Sequence, residues 1–152
     1  MEEVDLGVLL ALAFQQFVHD LHADLGERGY DDLGRSDGYV FRALDAGALT
    51  TSALAERLEM TKQGAGQLVE DMTRRGYLTS RPHPHDARAR LQELSERGRG
   101  ALAAASAFHR RYQRSLVRRH GAEAVAGLRT LLTEMAGPDA DPVDPRLRAM
   151  HV

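Results

Sequence analysis

Three polar side chains, Lys62, Gln63 and Gln67, fall on one side of a short predicted helix. The opposite side carries apolar residues at the i, i+3, i+4, i+7 spacing of a buried helical stripe, namely Ala65, Leu68, Val69 and Met72. Lysine binds guanine and glutamine binds adenine along the major groove of DNA. This pattern predicts a helix that packs through one face and offers base-reading groups on the other.

A basic stretch follows this helix. Residues 74–90 contain five arginines and one acidic residue. Arg81, Arg88 and Arg90 flank a loop that Pro82 and Pro84 stiffen. Arginines on a hairpin of this kind can bind phosphates or enter a narrow minor groove. Ordinary surface charge is the alternative interpretation, and it is disfavoured because the arginines directly follow the polar-faced helix.

These residues need elements that position them, and the apolar periodicity predicts those elements. Six helices and two strands are expected, in the order α-α-α-α-β-β-α-α, so the fold is mainly α with a small β-hairpin. The helices cover about 6–25, 37–46, 53–58, 62–75, 96–120 and 125–136, and the strands cover 77–81 and 89–94. The third and fourth helices, joined by a tight turn, form a helix-turn-helix, and the hairpin forms its wing.

Composition limits the remaining classes of protein. The chain of 152 residues has no cysteine, which excludes a disulfide framework and a cysteine-based zinc site. Residues 1–48 hold ten acidic residues and three arginines, whereas residues 49–120 hold fourteen basic and seven acidic residues. A split from −7 to +7 fits one part that meets a polyanion, although a solvated charged surface explains the charge alone equally well.

No targeting or membrane segment is evident. The longest apolar run, 8–14, has seven residues, well below the ~20 that span a bilayer. Acidic residues precede it, whereas a secretory signal begins with positive charge. We therefore expect a soluble, cytoplasmic protein with no membrane partner.

Enzyme and metal chemistry find little support in the sequence. His19 and His22 lie three residues apart, and His83 and His85 flank a proline, but neither pair has a third ligand at metal-binding spacing. Nucleophilic triads, glycine-rich phosphate loops and paired carboxylates are also lacking. The sequence therefore predicts a protein that is not an enzyme and that binds no metal and no cofactor.

The stretch 54–102 resembles the MarR family of winged helix-turn-helix regulators. The resemblance is carried by L-A-E-R-L-x-M-T-K-Q at 54–63, R-R-G-Y-L at 74–78, Asp86-x-Arg88, and L-S-x-x-G at 94–98. It implies a homodimer built from the first, fifth and sixth helices, with a recognition helix in the major groove. It also implies that Arg88 enters the minor groove and that Asp86 positions this arginine.

Three features depart from the family pattern. Ala53 occupies the place of the usual Glu in the capping box of the third helix, which should weaken that cap. Gly64 and Gly66 stand inside the recognition helix, each costing about 1 kcal/mol relative to alanine. Gly66 lies on the exposed side, where it would allow closer approach to DNA. Gln92 stands where the family usually has a β-branched apolar residue, which questions the packing of the wing.

The sequence therefore predicts four regions and two groups of site residues. Residues 1–33 and 98–136 form a helical dimerisation region, residues 34–97 the winged helix-turn-helix, and residues 137–152 a flexible tail. The predicted DNA-binding residues are Thr61, Lys62, Gln63, Gly66, Gln67, Arg81, Arg88 and Arg90, with Asp86 positioning the wing. The predicted effector pocket is formed by Phe17, His19, His22 and Tyr39.

Two hypotheses of function remain. The first is a transcriptional regulator, a ligand-responsive repressor that binds a pseudo-palindromic operator in double-stranded DNA as a homodimer. The second is a winged-helix dimer that acts mainly as a protein-interaction module, its DNA binding weakened by the recognition-helix glycines. The presence of Lys62, Gln63, Arg88 and Arg90 favours the first.

Overall fold

The computed structural model of the protein describes residues 3–149. Its elements in chain order are α1 (Leu6–Glu27), α2 (Asp37–Asp45), β1 (Leu49–Thr50), α3 (Thr51–Arg57), α4 (Lys62–Arg74), β2 (Leu78–Pro82), β3 (Arg90–Leu94), α5 (Glu96–His120), α6 (Ala122–Ala136) and α7 (Pro145–Ala149). The mainly helical class and the winged helix-turn-helix are confirmed. The expected order lacked β1 and α7.

The sheet has three antiparallel strands in the order β1-β3-β2. Gln92 in the central strand faces Leu49 of β1 and Ser80 of β2. Its side chain is buried, and its amide donates to the Thr51 hydroxyl at 3.5 Å. The start of α3 thus supplies an acceptor for the amide nitrogen of Gln92, whereas its buried side-chain oxygen has no hydrogen-bond partner among residues 3–149.

The core lies where α2 packs against the helix-turn-helix and the sheet. Its most buried side chains include Val40, Leu54, Met72 and Tyr77, none of which has measurable exposure. Met72 is the last residue of the predicted buried stripe of α4, and Ala65 and Val69 are buried with it. The apolar spacing that predicts this helix therefore also identifies the face that packs against the core.

A buried ion pair joins the beginning of α2 to the end of α4. The Asp37 carboxylate is 2% exposed, and Arg75 donates to both its oxygens, at 2.6 and 3.1 Å. The Gly34 N–H donates to the same carboxylate at 2.7 Å. Arg75 also binds Asp71 at 2.6 Å and the Asp32 carbonyl at 2.8 Å. Asp37 first, and then Asp71, hold the pKa of Arg75 above its ordinary value.

A second polar cluster lies beside this ion pair. The Tyr77 hydroxyl donates to the Asp32 carboxylate, and Arg97 of α5 donates to both groups, at 3.1 and 3.0 Å. Burial and the bond to Asp32 raise the pKa of Tyr77 to about 12. The Tyr77 bond and Arg97 lower the pKa of Asp32. These contacts connect the loop after α1 to the residues that follow α4 and to α5.

The first turn of α5 packs unusually close to the backbone of Tyr77. The Ser95 hydroxyl accepts from the Gly98 N–H at 3.0 Å, while the Ser95 N–H donates to the Tyr77 carbonyl, also at 3.0 Å. A Cβ at Gly98 would lie 2.2 Å from that carbonyl oxygen. The glycine of the L-S-x-x-G motif is therefore required by close approach, and the serine by capping.

The long helices pack with one another outside this core. α5 contacts both α1 and α6, and its apolar residues Phe108, Tyr112 and Leu116 are half-buried. The large exposed apolar side chains lie instead on α1 and α6, at Val8, Leu9, Leu12, Leu128, Leu131, Leu132 and Met135, among others. None of the residues of α6 is buried. No helix within residues 3–149 combines the length and apolar character needed to cross a membrane.

The C-terminal segment differs from the expected flexible tail over its described part. Val143 is 4% exposed and belongs to the main core, and Arg57 of α3 pairs with Asp141 at 3.1 Å. A short helix, α7, follows. The prolines that led us to expect a flexible tail instead fix the backbone of a docked segment. Residues 150–152 of the expected tail lie outside the described residues.

The buried ion pair gives a first prediction. Asp37→Ala leaves Arg75 partly buried without its main acceptor and should lower the free energy of unfolding by about 3 kcal/mol. Asp71→Ala is the matched control, because it removes the other carboxylate that Arg75 contacts from a largely exposed position, and should cost less than about 1 kcal/mol. Urea unfolding at a fixed protein concentration measures both. Equal losses would contradict the assignment of Asp37 as the dominant partner.

Candidate nucleic-acid interface

The recognition helix α4 begins at a well-formed cap. The Thr61 hydroxyl accepts from the Gly64 N–H at 3.0 Å, as the sequence predicts. Before it, Thr50 caps α3 by accepting from the Ala53 N–H at 3.1 Å. Between the two helices Glu59 has φ 50°, so this non-glycine residue takes the left-handed conformation that closes the turn. The two caps and the turn set the direction in which α4 projects.

The first turns of α4 present the predicted polar face to solvent. Thr61, Lys62, Gln63 and Gln67 are exposed, and Gly66 is half-buried. The buried stripe on the opposite side fixes the rotation of the helix about its axis. The structure therefore brings together the side chains that the sequence predicts on this helix.

The wing is a hairpin whose loop is closed by its own hydrogen bonds. Pro82 pairs with Arg90, and the His83 N–H donates to the Ala89 carbonyl at 3.1 Å. At the tip, the Asp86 carboxylate accepts from the Arg88 N–H at 3.0 Å. Asp86 thus shapes the turn from which Arg88 projects, acting through the backbone of Arg88.

The three wing arginines are held differently. Arg81 forms an exposed pair with Glu93 at 3.3 Å, and Arg90 donates to the hydroxyl and carbonyl of Ser80 at 2.9 and 3.1 Å. Arg88 is exposed, and no acceptor for its guanidinium occurs among residues 3–149. Of the three, Arg88 is therefore the arginine whose guanidinium forms no hydrogen bond or ion pair within the hairpin.

The predicted pocket residues differ in their surroundings and exposure. Phe17 lies among Phe108, His109 and Tyr112 of α5, with ring centroids 4.9–5.6 Å apart. Tyr39 is buried in α2, whereas His19 and His22 are exposed on α1.

Arg42, which the sequence did not identify as a site residue, lies between Tyr39 of α2 and His109 of α5. Its guanidinium is 5.3 Å from the centre of the Tyr39 ring. Burial lowers the pKa of Arg42, and burial together with the charge of Arg42 lowers the pKa of His109. The sequence signal that could have identified Arg42 is a single arginine within the apolar run Y-V-F-R-A-L at 39–44.

The histidines do not assemble a metal site in the described part of the chain. His83 and His85 stand 6.2 Å apart between ring centroids, and the His83 ring accepts from the His85 N–H. Within residues 3–149 there is no group of three or more histidine, aspartate or glutamate side chains that could hold a metal ion. The contacts between His83 and His85 lie within the wing loop and stabilise its conformation.

Comparison with known proteins agrees with this geometry. The family model described as MarR family matches residues 31–89, which include α2, the helix-turn-helix and most of the wing. The winged helix-turn-helix of this chain belongs to the MarR family. A search of curated protein sequences finds no significant match.

Solved structures show the same fold as this chain. RV1404 from Mycobacterium tuberculosis is similar with a TM-score of 0.76 and 19% identity, over 93% of this chain and 99% of that one. YusO from Bacillus subtilis gives 0.70 and 16%, over 88% and 94%. A mutant of MepR from S. aureus, bound to an oligodeoxyribonucleotide, gives 0.65 and 18%, over 88% and 96%. At these identities the likeness establishes the fold.

The glycines of the MarR-family recognition helix give a second prediction. A Cβ at Gly66 would meet no atom within 4 Å, so Gly66→Ala should raise the free energy of unfolding by about 0.8–1 kcal/mol through helix propensity alone. Gly98→Ala is the contrasting variant, because its Cβ would collide with the Tyr77 carbonyl, and should destabilise the protein. Thermal unfolding compares them, and a destabilising Gly66→Ala would contradict the open space at this position.

Proposed function

We propose that the protein is a sequence-specific DNA-binding transcriptional regulator, a ligand-responsive repressor that binds a pseudo-palindromic operator as a homodimer. The observation that carries the proposal is the pairing of two exposed features on a MarR-family domain. One is the polar face of α4, and the other is Arg88 at the wing tip without an intramolecular acceptor. The MepR structure, whose domain has the same fold, contains bound oligodeoxyribonucleotide. This is the fold of a transcription regulator rather than of an enzyme.

In this proposal the recognition helix and the wing do different work. Lys62, Gln63 and Gln67 read base edges in the major groove, where amide and ammonium donors distinguish base pairs. Thr61 and Gly66 lie against the backbone of the DNA at the start of the helix. Arg88 enters the minor groove, and Arg81 and Arg90 contribute positive charge at the phosphates. These contacts are inferred from the exposure of each residue and from its position on α4 or on the wing.

The division of labour gives a third prediction. Gln63→Ala and Lys62→Ala should each cost about 1–3 kcal/mol on operator DNA and much less on random DNA, since each removes a base-edge donor. Arg88→Ala should weaken binding to both and reduce the slope of log K against log salt by about one unit. Asp86→Ala should also weaken binding, because the turn that holds Arg88 is lost. Gel-shift titrations at several salt concentrations measure these effects.

A matched control is Arg118→Ala, which removes an exposed arginine near the far end of α5. At 1.5 Å per residue, that position is about 33 Å along the helix from the wing-proximal end. Its loss should leave the affinity nearly unchanged. If Asp86→Ala tightened binding, removal of a repelling charge would outweigh the positioning of Arg88, and the proposed role of Asp86 would be wrong. A wild-type protein without preference for any duplex would instead favour the protein-interaction hypothesis.

Dimerisation follows from the apolar faces of α1 and α6. Leu12, Leu131 and Met135 are each 58–59% exposed, and α6 contacts only α5 among the elements with substantial contacts. Large apolar side chains exposed on two long helices form more apolar surface than a small monomer normally leaves in water. A second copy of the same surface covers it most simply, with twofold symmetry.

The fourth prediction tests this surface. Leu131→Asp should convert the dimer to monomer or unfolded chain, because it places a charge in the apolar face. Thr133→Asp, two residues along on the opposite side of α6, is the matched control and should leave the dimer intact. Sedimentation at micromolar concentration measures both. A folded, monodisperse wild-type monomer would contradict the proposal.

The effector proposal rests on Arg42. Within residues 3–149 no carboxylate lies at ion-pair distance from this arginine. The Tyr39 ring of α2 lies 5.3 Å from its guanidinium, and its charge acts on His109 of α5. A cation that lacks an intramolecular anion favours a ligand that supplies one. The effector class is therefore a small, largely apolar anion or phenol, with Phe17 and Tyr39 on the walls of the site. The ligand shifts DNA affinity only by its different affinity for the two conformations of the dimer.

The fifth prediction uses benzoate-type aromatic acids. They should weaken operator binding by the wild-type protein, and Arg42→Met should abolish this response. Because an anion beside His109 favours its protonated form, the acids should bind more tightly at pH 6 than at pH 8, and His109→Asn should flatten that dependence. Arg35→Met, an exposed arginine outside the cluster, is the control. An unchanged operator affinity at millimolar acid would indicate a constitutive repressor.

A further inference from the structure

The C-terminal segment 138–149, here called the strap, fills a groove on the helix-turn-helix. Val143 is 4% exposed and packs into the main core. Together with Pro145 it covers Tyr39 of α2, Leu58 at the end of α3, and Met60 in the turn before α4. The space that remains between these side chains is about 20 Å³, roughly the room for one water molecule. The strap therefore fits closely around Val143, whereas a cavity of about 440 Å³ lies between its other residues, Arg57 and Ala136.

Polar contacts tie the two ends of the strap to different parts of the protein. Asp141 accepts from Arg57 of α3 at 3.1 Å. Arg146 donates to the carbonyl of Ala136, the last residue of α6, at 3.0 Å, and pairs with Asp144 at 2.9 Å. The strap thus contacts both the helix-turn-helix and the end of the helix whose apolar face is proposed to form the dimer.

The backbone of the strap is stiff. The Asp141 carboxylate accepts from the Val143 N–H at 2.7 Å, and the Asp144 carboxylate accepts from the Arg146 N–H at 2.9 Å. Each of these local turns surrounds or adjoins a proline, and proline restricts φ before and after folding alike. The entropy lost on docking is correspondingly small, which favours the docked state.

We propose that the strap is a conformational coupler that holds the helix-turn-helix in a fixed orientation relative to α6. It does so by packing on the turn at Leu58 and Met60, immediately before the first residue of α4. The docking itself is independent of what α4 binds. The consequence for DNA rests on the proposed function: with the strap released, the two recognition helices of a dimer lose their fixed spacing, and operator affinity falls.

The test compares two apolar-to-amide substitutions on the strap. Val143→Asn should undock it, because it buries an amide in the apolar groove. Leu147→Asn is the matched control, since Leu147 is 36% exposed. A chain that stops after Pro138 is the second undocked variant and requires no buried substitution. All are measured as full dimers by amide hydrogen exchange and by operator titration.

We expect undocking to speed the exchange of the Met60 and Ala65 amides, which donate to Ala55 and Thr61, by about tenfold. Operator affinity should fall by about tenfold in both undocked variants and stay at the wild-type value in Leu147→Asn. Unchanged exchange in both undocked variants would overturn the proposal. Faster exchange with unchanged operator affinity would overturn the coupling. A wild-type chain that binds no DNA would refute the proposed function, while exchange would still decide whether the strap restrains α4.

A cross-link shows which chain supplies the strap. The protein has no cysteine, so Arg57→Cys with Asp141→Cys introduces the only thiols. A short bismaleimide should join them within one chain, leaving the denatured mass of a monomer, and Val143→Asn in this background should suppress the reaction. A cross-link between two chains would overturn the intrachain strap.

Discussion

The ion pair between Asp37 and Arg75 is the contact on which the placement of the recognition helix depends. Burying a carboxylate is costly unless it is paired and fully hydrogen-bonded, and Asp37 meets that condition through Arg75 and the Gly34 N–H. Arg75 immediately follows α4, so the pair fixes the end of this helix opposite the turn that Thr61 caps. Tyr77, two residues later, carries the same restraint into α5 through Arg97. A helix held at its C-terminal end and capped at its N-terminal end by Thr61 has little freedom to tilt.

This restraint leaves the exposed side of the domain free for binding. Buried positions of α4 are apolar and set its rotation, whereas Lys62, Gln63 and Gln67 play no part in the packing and can be matched to a DNA sequence. In the wing, Ser80 and Glu93 engage two arginines while the turn at Asp86 leaves Arg88 extended. Stability and proposed recognition are thus assigned to different residues, and a change of operator would require few changes in the core.

Local physical signals account for what the sequence predicts well. Thr50, Thr61 and Ser95 each cap a helix, because a capping hydroxyl acts on an amide three residues away. Long-range pairs were missed: 38 residues separate Asp37 from Arg75, and nothing local marks either as a partner. The strand β1 has two residues, too few to show alternation. In the C-terminal segment, Pro142 and Pro145 indicated a flexible tail, whereas with Asp141 and Asp144 they form local turns. Arg42 and His109 come close because α2 packs on α5. The spacing of residues along the sequence does not indicate this contact.

The central claim is that two recognition helices, each fixed on its own domain and related by twofold symmetry, read one duplex. Selection of binding sites from a pool of random double-stranded DNA, followed by sequencing, tests this claim most directly. The account predicts enrichment of an inverted repeat whose half-site centres lie about one helical turn apart, ~34–36 Å, so that both helices meet one face of the DNA. Enrichment of a single asymmetric half-site, or of no sequence at all, would contradict it.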